Sequence, residues 1–326
     1  FTSLFVTVLL IFLFKEKGVI PSIILSAITT YIITYYYVSK LPYKHINLNL
    51  KKIYLLGRSM ASFGIVLSFN GILSTGISFL IIAYITKSGG LGDVGYYQAG
   101  WTIINGYVGM IFSAMLIDYY PRLSKIAKDV NLLIQNINEQ IEMVLFIITP
   151  ILLLLMLNIK QIVILLYSSD FVIVNEMVAY SLLGILFKGV SWSIGVSIIS
   201  TSNKRIYLMS EITANIVVLF TTILSYKYMG IKGIGISITI SYFFHMCLVY
   251  FLTRKAYGFK LINGNIKYII ISVILVLTAL LINLYINTDI KYILITILLV
   301  MSSIFSYIEL DIRLNIKSMI IKYFNK

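Results

Sequence analysis

The stretch GYYQAGWTIINGYVGMIFSAMLIDYYPRLS, residues 95–124, decides the fold because it has the pattern of a membrane-crossing helix. Tyr96, Tyr97 and Trp101 form an aromatic belt at one end, where such rings lie at headgroup level. A run of about twenty mostly apolar residues follows, and at ~1.5 Å per residue it is long enough to cross a bilayer core. The pattern predicts that the span stops at Pro121, with basic residues just beyond it.

Composition places the whole chain in a membrane. The 326 residues are 60% hydrophobic and 12% charged, with a mean hydropathy of +0.97. Because lipid-exposed backbone must pair its own polar groups, we expect an all-α polytopic membrane protein with about ten transmembrane helices. The net charge of +14 lies mainly in short loops, which indicates topology rather than a nucleic-acid partner. A single cysteine, Cys247, excludes an intrachain disulfide.

Ten apolar segments follow one another along the chain. They comprise residues 1–14, 19–38, 57–86, 95–120, 141–158, 176–200, 207–226, 233–252, 268–287 and 292–307. The first is too short to cross a membrane and no Met precedes it, so we expect it to be the end of a helix whose start is missing. Pro150 predicts a kink, and residues 160–169 are expected to form a short interfacial segment.

Most of the 26 Lys and Arg lie on one side of these segments, in the loops around residues 40–58, 122–128, 204–205 and 254–267. The positive-inside rule makes that side cytoplasmic. The C-terminus is then inside and the first span runs outward. An even number of helices would precede a chain that began inside.

Two motifs carry a family resemblance. The run from GYYQAG to YYPRLS, and LLYSSDF at residues 165–171, resemble the bacterial flippases of O-antigen and capsule repeat units. These oligosaccharide-lipid flippases belong to the multidrug/oligosaccharidyl-lipid/polysaccharide exporter superfamily. Ser168 stands where the family signature has Gly. Neither motif is catalytic, so the resemblance implies a transporter and no enzyme.

The resemblance implies the domain organisation of a two-lobe transporter. Residues 1–38 would end an N-terminally truncated first lobe that lacks four helices. Residues 39–56 would be a cytoplasmic amphipathic linker, and residues 57–252 the second six-helix lobe. Residues 267–308 would form an appended helix pair, followed by a cytoplasmic tail at 309–326.

The resemblance also implies the cargo and the setting. Such flippases move undecaprenyl-diphosphate-linked oligosaccharide repeat units from the cytoplasmic to the periplasmic leaflet by alternating access. Their product feeds surface polysaccharides such as the O-antigen of lipopolysaccharide. The expected location is the bacterial inner (plasma) membrane, and the expected partners are the lipid-linked oligosaccharide and membrane lipids. Na⁺ and H⁺ both remain open as counter-ions, and no cofactor is expected.

Lys188 is the leading candidate for a binding residue because it is centred in a span. A lysine near mid-membrane costs ~2.5–3.5 kcal/mol on insertion scales and therefore usually faces a wet or paired interior. A diphosphate needs cations, which Lys188 and Arg58 would supply. Sugars need amide and hydroxyl partners, which three further residues would supply, namely Asn70, Asn105 and Tyr107. The alternatives are snorkelling of Lys188 to the membrane surface and structural pairing with a carboxylate such as Glu211 or Asp118.

Three spans carry stripes of small and polar residues at helical spacing. They are Gly64, Ser68, Gly71, Thr75 and Ser78 in the third span; Thr102, Gly106, Gly109 and Ser113 in the fourth; and Ser181, Gly184, Lys188, Ser191 and Gly195 in the sixth. For the third and fourth stripes, close helix packing is the favoured interpretation and a cavity lining the alternative.

Other polar groups receive structural interpretations. GLGDVG at residues 90–95 matches a dinucleotide-binding pattern, but membrane spans flank it, so it is expected to be an outer turn. No Walker-type run exists, and His45, His245 and Cys247 have no metal-ligand spacing. His245 is expected to hydrogen-bond a neighbouring helix. Glu211 is expected to face the N-terminal dipole of its helix.

Two rival functions stay open. A cation-coupled multidrug exporter of the same superfamily would need a cavity for organic cations, which Lys188 disfavours. A membrane glycosyltransferase or polymerase usually carries a large outer loop with catalytic groups, whereas every outer loop here is short. The flippase therefore ranks first and the enzyme last.

Overall fold

The computed structural model of the protein describes residues 2–40, 50–286 and 288–315, and these form ten helices without a strand. Seven helical stretches of this described part are long and apolar enough to cross a bilayer, and two of them contain two helices each. The prediction of an all-α polytopic membrane protein is therefore confirmed. The chain divides into two compact units, residues 1–59 and 60–326.

The first unit contains a helical hairpin. Helices α1 (Thr2–Phe14) and α2 (Val19–Ser39) are joined by a 3₁₀ turn at Lys15–Gly18, where the sequence predicts a turn. Residues 41–49, the middle of the predicted amphipathic linker, lie outside the described residues. From Leu50 onward the chain is already helical. The linker prediction therefore stays a prediction for most of its length.

Two long helical stretches fold into hairpins at single glycines. Gly90 (φ +82°) breaks the helix Leu50–Trp101, and Gly230 (φ +60°) breaks the helix Lys204–Tyr257. Positive φ is accessible to glycine at little cost. Across the second break the hydroxyls of Thr221 and Ser241 lie 2.9 Å apart, although a straight helix would separate them by ~30 Å. Residues 50–89 and 91–126 are α3 and α4; residues 204–229 and 231–257 are α7 and α8.

The remaining helices are α5 (Val130–Leu166), α6 (Val174–Ser200), α9 (Asn263–Tyr285) and α10 (Ile290–Leu314). In number and order the ten helices of the described chain match the ten apolar segments. Helix α10 continues into the region predicted as tail, and residues 316–326 lie outside the described residues.

Side-chain contacts connect the turn at Gly90 to the hairpin formed by α7 and α8. Asp93 accepts a hydrogen bond from the hydroxyl of Tyr226, which lies near the end of α7. The ring of Tyr226 also packs edge-on against Tyr84 of α3. Helices flank GLGDVG on both sides, so the turn interpretation is confirmed and the dinucleotide-binding pattern is accidental.

Helix α6 lies at the centre of the second unit and packs backbone to backbone against α8. A Cβ atom on Gly235 would strike the main chain of Met177, and one on Gly184 would lie 2.8 Å from Cα of Thr239. Thr239 Oγ1 donates to the carbonyl of Tyr180 at 2.7 Å. Small residues therefore set the distance between the two helices that carry the site.

Polar contacts bind α9 and α10 to α5. Asn265 is fully buried and donates to Oδ1 of Asn138 at 2.8 Å. Near the same end of the bundle, Nε of Arg313 donates to Oε2 of Glu142 at 2.8 Å. Such bonds replace the hydrophobic force that is missing between helices in lipid. The final helix pair is thus an integral part of the second unit.

Helices continue past three points where the sequence suggests an end, a kink or a separate segment. Helix α4 continues through Pro121 to Ile126, and α5 runs through Pro150 without a break in its helical backbone. Lys160 lies in the last turns of α5, so residues 160–166 are not a separate interfacial segment. The physical reason is that hydropathy reports where lipid ends, whereas a helix continues beyond the bilayer. Prolines are tolerated in membrane helices because neighbouring groups satisfy the freed carbonyls.

Candidate functional site

The site begins with an irregularity in α4. Over Thr102–Tyr107 the helix adopts a π-helical turn, a feature that is frequent at functional sites. Asn105 lies in this turn and points at α6. Its Oδ1 accepts a hydrogen bond of 2.8 Å from Nζ of Lys188. Two residues that the sequence assigns to different parts of the cargo therefore touch each other.

The hydrogen bond and ring contacts of Lys188 in the described chain are with neutral residues. Its Nζ lies 5.6 Å from the ring centroid of Phe112 and 5.2 Å from that of Tyr242, both within the range of a cation–π interaction. The salt bridges among the described residues do not include it. Of the carboxylates expected to neutralise it, Asp118 lies 3.7 Å from Arg122 instead, and Glu211 makes no ion pair with it. The predicted structural pairing is therefore wrong.

A cavity of about 230 Å³ opens beside Lys188 and is lined by residues of α4, α6, α7 and α8. Glu211, Tyr242 and His245 belong to its wall. Nε2 of His245 is buried without a partner, so the predicted bond to a neighbouring helix is wrong. Nδ2 of Asn105 is likewise buried without a partner. Two polar groups near Lys188 therefore have unused hydrogen-bonding capacity.

Glu211 is the centre of a second polar cluster, formed by α3 and α7. Asn70 donates to Oε2 of Glu211 at 3.1 Å and to the hydroxyl of Tyr207 at 3.0 Å. Nδ2 of Asn215 lies 3.4 Å from Oδ1 of Asn70. The prediction that Glu211 serves the helix dipole is wrong, because α7 starts at Lys204, about two turns earlier. The Glu211 carboxylate instead accepts a hydrogen bond from the neutral amide of Asn70.

A second cavity, of about 220 Å³, adjoins the first. Ser78, Tyr97 and Trp101 contribute to it from α3 and α4, and Asn215 contributes from α7. Tyr242 lines both cavities and so forms the partition between them. The two adjoining cavities together are lined by polar groups of α3, α4, α6, α7 and α8 inside the second unit.

The other candidate residues have surroundings of their own. Tyr107 follows Asn105 in the π-helical turn, but its side chain is 48% exposed and lines neither cavity. Asn70 belongs to the cluster around Glu211. Arg58 is exposed and belongs to the first compact unit. The structure therefore brings together Lys188 and Asn105 of the predicted set.

The three stripes of small residues differ in their surroundings. A Cβ atom added to Gly64, Gly71 or Gly109 would meet nothing within 4 Å, so these positions make no close helix contact in the described part of the chain. Ser78 of the third stripe lines the second cavity. The sixth stripe divides in two. Its Gly184 half packs against α8, and its other half, with Lys188 and Gly195, lines the cavity.

Comparison with known proteins identifies the family. A family model described as "Polysaccharide biosynthesis protein" matches residues 2–176, which is more than half of the chain. The chain belongs to this polysaccharide biosynthesis family. A comparison with curated proteins found no match.

The fold of this family member is similar to that of a solved structure, "Lipid II flippase MurJ, inward closed conformation". The TM-score is 0.60 at 15% sequence identity, over 95% of this chain and 66% of that chain. The likeness shows a shared fold. Together with the family match, it confirms the resemblance that the two motifs predicted.

One departure from the family signature is explained by the backbone. Ser168 stands where the signature has Gly, and its φ of −173° is extended backbone that any residue adopts. Its side chain accepts a hydrogen bond from the amide of Asp170, which caps the short 3₁₀ helix Ser169–Ile173. The serine therefore supplies a cap that glycine would lack.

Sequence reasoning missed several residues of the site in this polysaccharide biosynthesis protein. Tyr242 separates the cavities, Phe112 covers Lys188, and Tyr207 completes the Glu211 cluster. All three are aromatic residues in apolar spans and look like ordinary packing. The available signal was the helical spacing of Tyr242 and His245, which places both on nearly the same face of α8.

Proposed function

We propose that this protein is a flippase for undecaprenyl-diphosphate-linked oligosaccharide repeat units, moved from the cytoplasmic to the outer leaflet by alternating access. Lys188 carries the proposal. It is a cation in a cavity within the membrane-spanning bundle, held by an amide and two rings, with no carboxylate partner among the described residues. An uncompensated cation in such a place is suited to an anionic cargo.

The groups around Lys188 match the chemistry of a sugar diphosphate. An ammonium has three donors, and Asn105 uses one of them. The unpartnered Nδ2 of Asn105 adds another donor beside it. Phosphate oxygens would take the charged donors, and sugar hydroxyls would take the amide and Tyr242. Arg58, Asn70 and Tyr107 remain proposed binding residues.

The driving force follows from charge. Moving an anion outward from a negative interior gains ~2.3 kcal/mol per charge per 100 mV. A counter-ion, Na⁺ or H⁺, would bind best at Glu211, because the hydrogen-bond partner of that carboxyl group is neutral. Binding of a cation there would compensate a charge that the bilayer makes costly. The orientation used here rests on the positive-inside rule, with the C-terminus in the cytoplasm of a bacterium.

The rival functions fit less well. A multidrug exporter for organic cations would place a carboxylate where Lys188 stands, because a lysine repels its substrate. A glycosyltransferase or polymerase needs paired acid and base groups at an outer face. In the turn at Gly90, Asp93 is bound to Tyr226, and the outer loops predicted from the sequence are short. The specific glycan, including O-antigen, is a proposal from the family resemblance.

Substitution of Lys188 in the full-length protein tests the proposal. Lys188→Ala should lower export of lipid-linked glycan at least about tenfold while the protein still inserts and accumulates. Lys188→Arg should keep part of the activity, since the charge stays and the geometry changes. Export is measured as surface glycan in cells that lack the native gene.

Lys204→Ala is the matched control, because Lys204 also donates to a neutral oxygen of another helix, Oγ of Ser62 at 2.6 Å. It lies at the end of the bundle and outside both cavities. It should leave export nearly unchanged. Normal export by a well-expressed Lys188→Ala protein would show that the lysine has a structural role only.

A further inference from the structure

A third cavity lies at the opposite end of the bundle from Arg313, where α5 and α9 end and α6 and α10 begin. Its volume is about 240 Å³ and its lining is mainly polar. The polar lining residues are Lys160, Gln161, Asn175, Glu176, Asn283, Lys291 and Tyr292. Four helices thus contribute hydrogen-bonding side chains to one hollow, far along the helices from Lys188.

Both signs of charge line this third cavity without neutralising each other. Lys160 and Lys291 are its cations and Glu176 is its anion. The salt bridges among the described residues include none of the three. A ligand that contacts all three would therefore carry a negative and a positive group.

Asn175 indicates which kind of positively charged group the third cavity can bind. Its Oδ1 is buried without a hydrogen-bond partner, so the cavity offers an acceptor that lacks a donor. A primary ammonium can donate to this oxygen and to the Glu176 carboxylate, whereas a quaternary ammonium has no N–H. Quaternary ammonium groups are instead held by aromatic cages. The single ring here, Tyr292, already lies under Lys291, whose Nζ is 5.2 Å from its centroid.

The volume and position of the third cavity restrict the choice of ligand further. A volume of about 240 Å³ corresponds to roughly eight water molecules, which is less than a typical site for a drug-sized ligand. The cavity lies where membrane helices end, the level of lipid headgroups. Lysines between membrane helices at that level are suited to phosphate groups of lipids.

We propose that this third cavity binds the phosphoethanolamine headgroup of a membrane lipid. Lys160 and Lys291 contact the phosphate, and Glu176 and Asn175 accept from the ammonium. The ligand contacts α5, α6, α9 and α10 together. It therefore holds the final helix pair in place at the end of the bundle opposite Arg313. The assignment does not depend on the transported cargo.

Lipid retention by the purified full chain tests the assignment. The protein is exchanged into nanodiscs of equal parts phosphatidylethanolamine, phosphatidylcholine and phosphatidylglycerol, extracted, and the retained lipid is counted by native mass spectrometry. Phosphatidylethanolamine should be retained at least about fivefold over phosphatidylcholine. Glu176→Gln should remove most of that preference, because Glu176 contacts the ammonium, in which the two lipids differ. Lys291→Gln should lower the retention of both lipids, because they share the phosphate. Equal retention of the two lipids, or preference for phosphatidylglycerol, would overturn the proposal.

Lys227→Gln is the matched control, because Lys227 also lies over the ring of the following residue, Tyr228, at 5.7 Å but lines none of the three cavities. The Lys227→Gln variant should keep the full retention and the full preference. Loss of either in this variant would contradict the proposed lipid site. Competition with soluble O-phosphoethanolamine tests whether the site binds the intact lipid or the free phosphate ester. Displacement of the lipid only at large molar excess supports a lipid ligand, and displacement at equimolar concentration contradicts it.

Discussion

Lys188 and Arg313 are two cations with similar aromatic surroundings and different partners. Lys188 lies over Phe112 and Tyr242; the guanidinium carbon of Arg313 lies 5.0 Å from the ring centroid of Phe146 and 5.6 Å from that of Tyr268. Arg313 is bound by two carboxylates, Glu142 and Glu309. Lys188 has one amide, Asn105.

The difference between these cations separates structure from transport. Charge-assisted bonds to carboxylates satisfy Arg313 and hold α10 against α5. The amide orients Lys188 without cancelling its charge. Aromatic rings alone therefore do not distinguish the two roles, whereas the charge of the hydrogen-bond acceptor does. The following substitutions test that distinction.

Arg313→Ala should produce the largest loss of stability. It leaves Glu142, which is mostly buried, and Glu309 without their shared cation, and removing one member of such a cluster costs ~3 kcal/mol. The apparent midpoint of thermal unfolding in nanodiscs should fall by several degrees. Asp118→Ala is the control, since its ion pair with Arg122 is at the surface and should contribute under ~1 kcal/mol. Equal destabilisation by both variants would contradict the assignment of Arg313.

Asn105→Asp should convert the Lys188 site into one like that of Arg313. The new carboxylate would lie 2.8 Å from Nζ and take the charge that the cargo needs. Glycan export should fall about tenfold, equivalent to ~1.4 kcal/mol, while the thermal midpoint stays equal or rises. Asn105→Ala should lose less export, because it leaves the charge of Lys188 free. A greater loss in Asn105→Ala than in Asn105→Asp would contradict the view that the free charge of Lys188 is what the cargo needs most.

The two tyrosine hydroxyls should give the smallest effects. Tyr268 lies 3.3 Å from Glu309, and Tyr242 lies 3.4 Å from Asn105, so both bonds are long. Tyr268→Phe and Tyr242→Phe keep the ring beneath each cation and should lower stability by only ~0.5 kcal/mol. Thermal midpoints within about a degree of the parent would agree with this. A large drop in either variant would mean that the hydroxyl, rather than the ring, supports the cation.

The sequence predicts the fold well because each span is a local property. A run of apolar residues with a turn at each end can be recognised without knowing its neighbours, and single glycines at 90 and 230 mark two of the turns. The exact helix ends at Pro121 and Lys160 are not local in this sense. They depend on how far a helix extends beyond lipid and on which neighbours satisfy its carbonyls.

The candidate site is predicted only in part for a related reason. The spacing of polar residues gives the face of α6 that carries Lys188. It does not give the vertical register between α6 and α4, which decides whether Asn105, 83 residues earlier, reaches the ammonium. The same limit applies to Glu211, whose partner Asn70 is 141 residues away. These contacts follow from packing between helices, which the sequence does not encode in any one stretch.

The π-helical turn at Thr102–Tyr107 also affects how this chain is aligned with its relatives. Such a turn accommodates one residue more than an α-helix of the same path. A relative with a regular helix here would need a one-residue gap between Thr102 and Tyr107. Without the gap, every position after the turn would be rotated by ~100°, and Phe112 and Tyr119 would be matched to residues of another face.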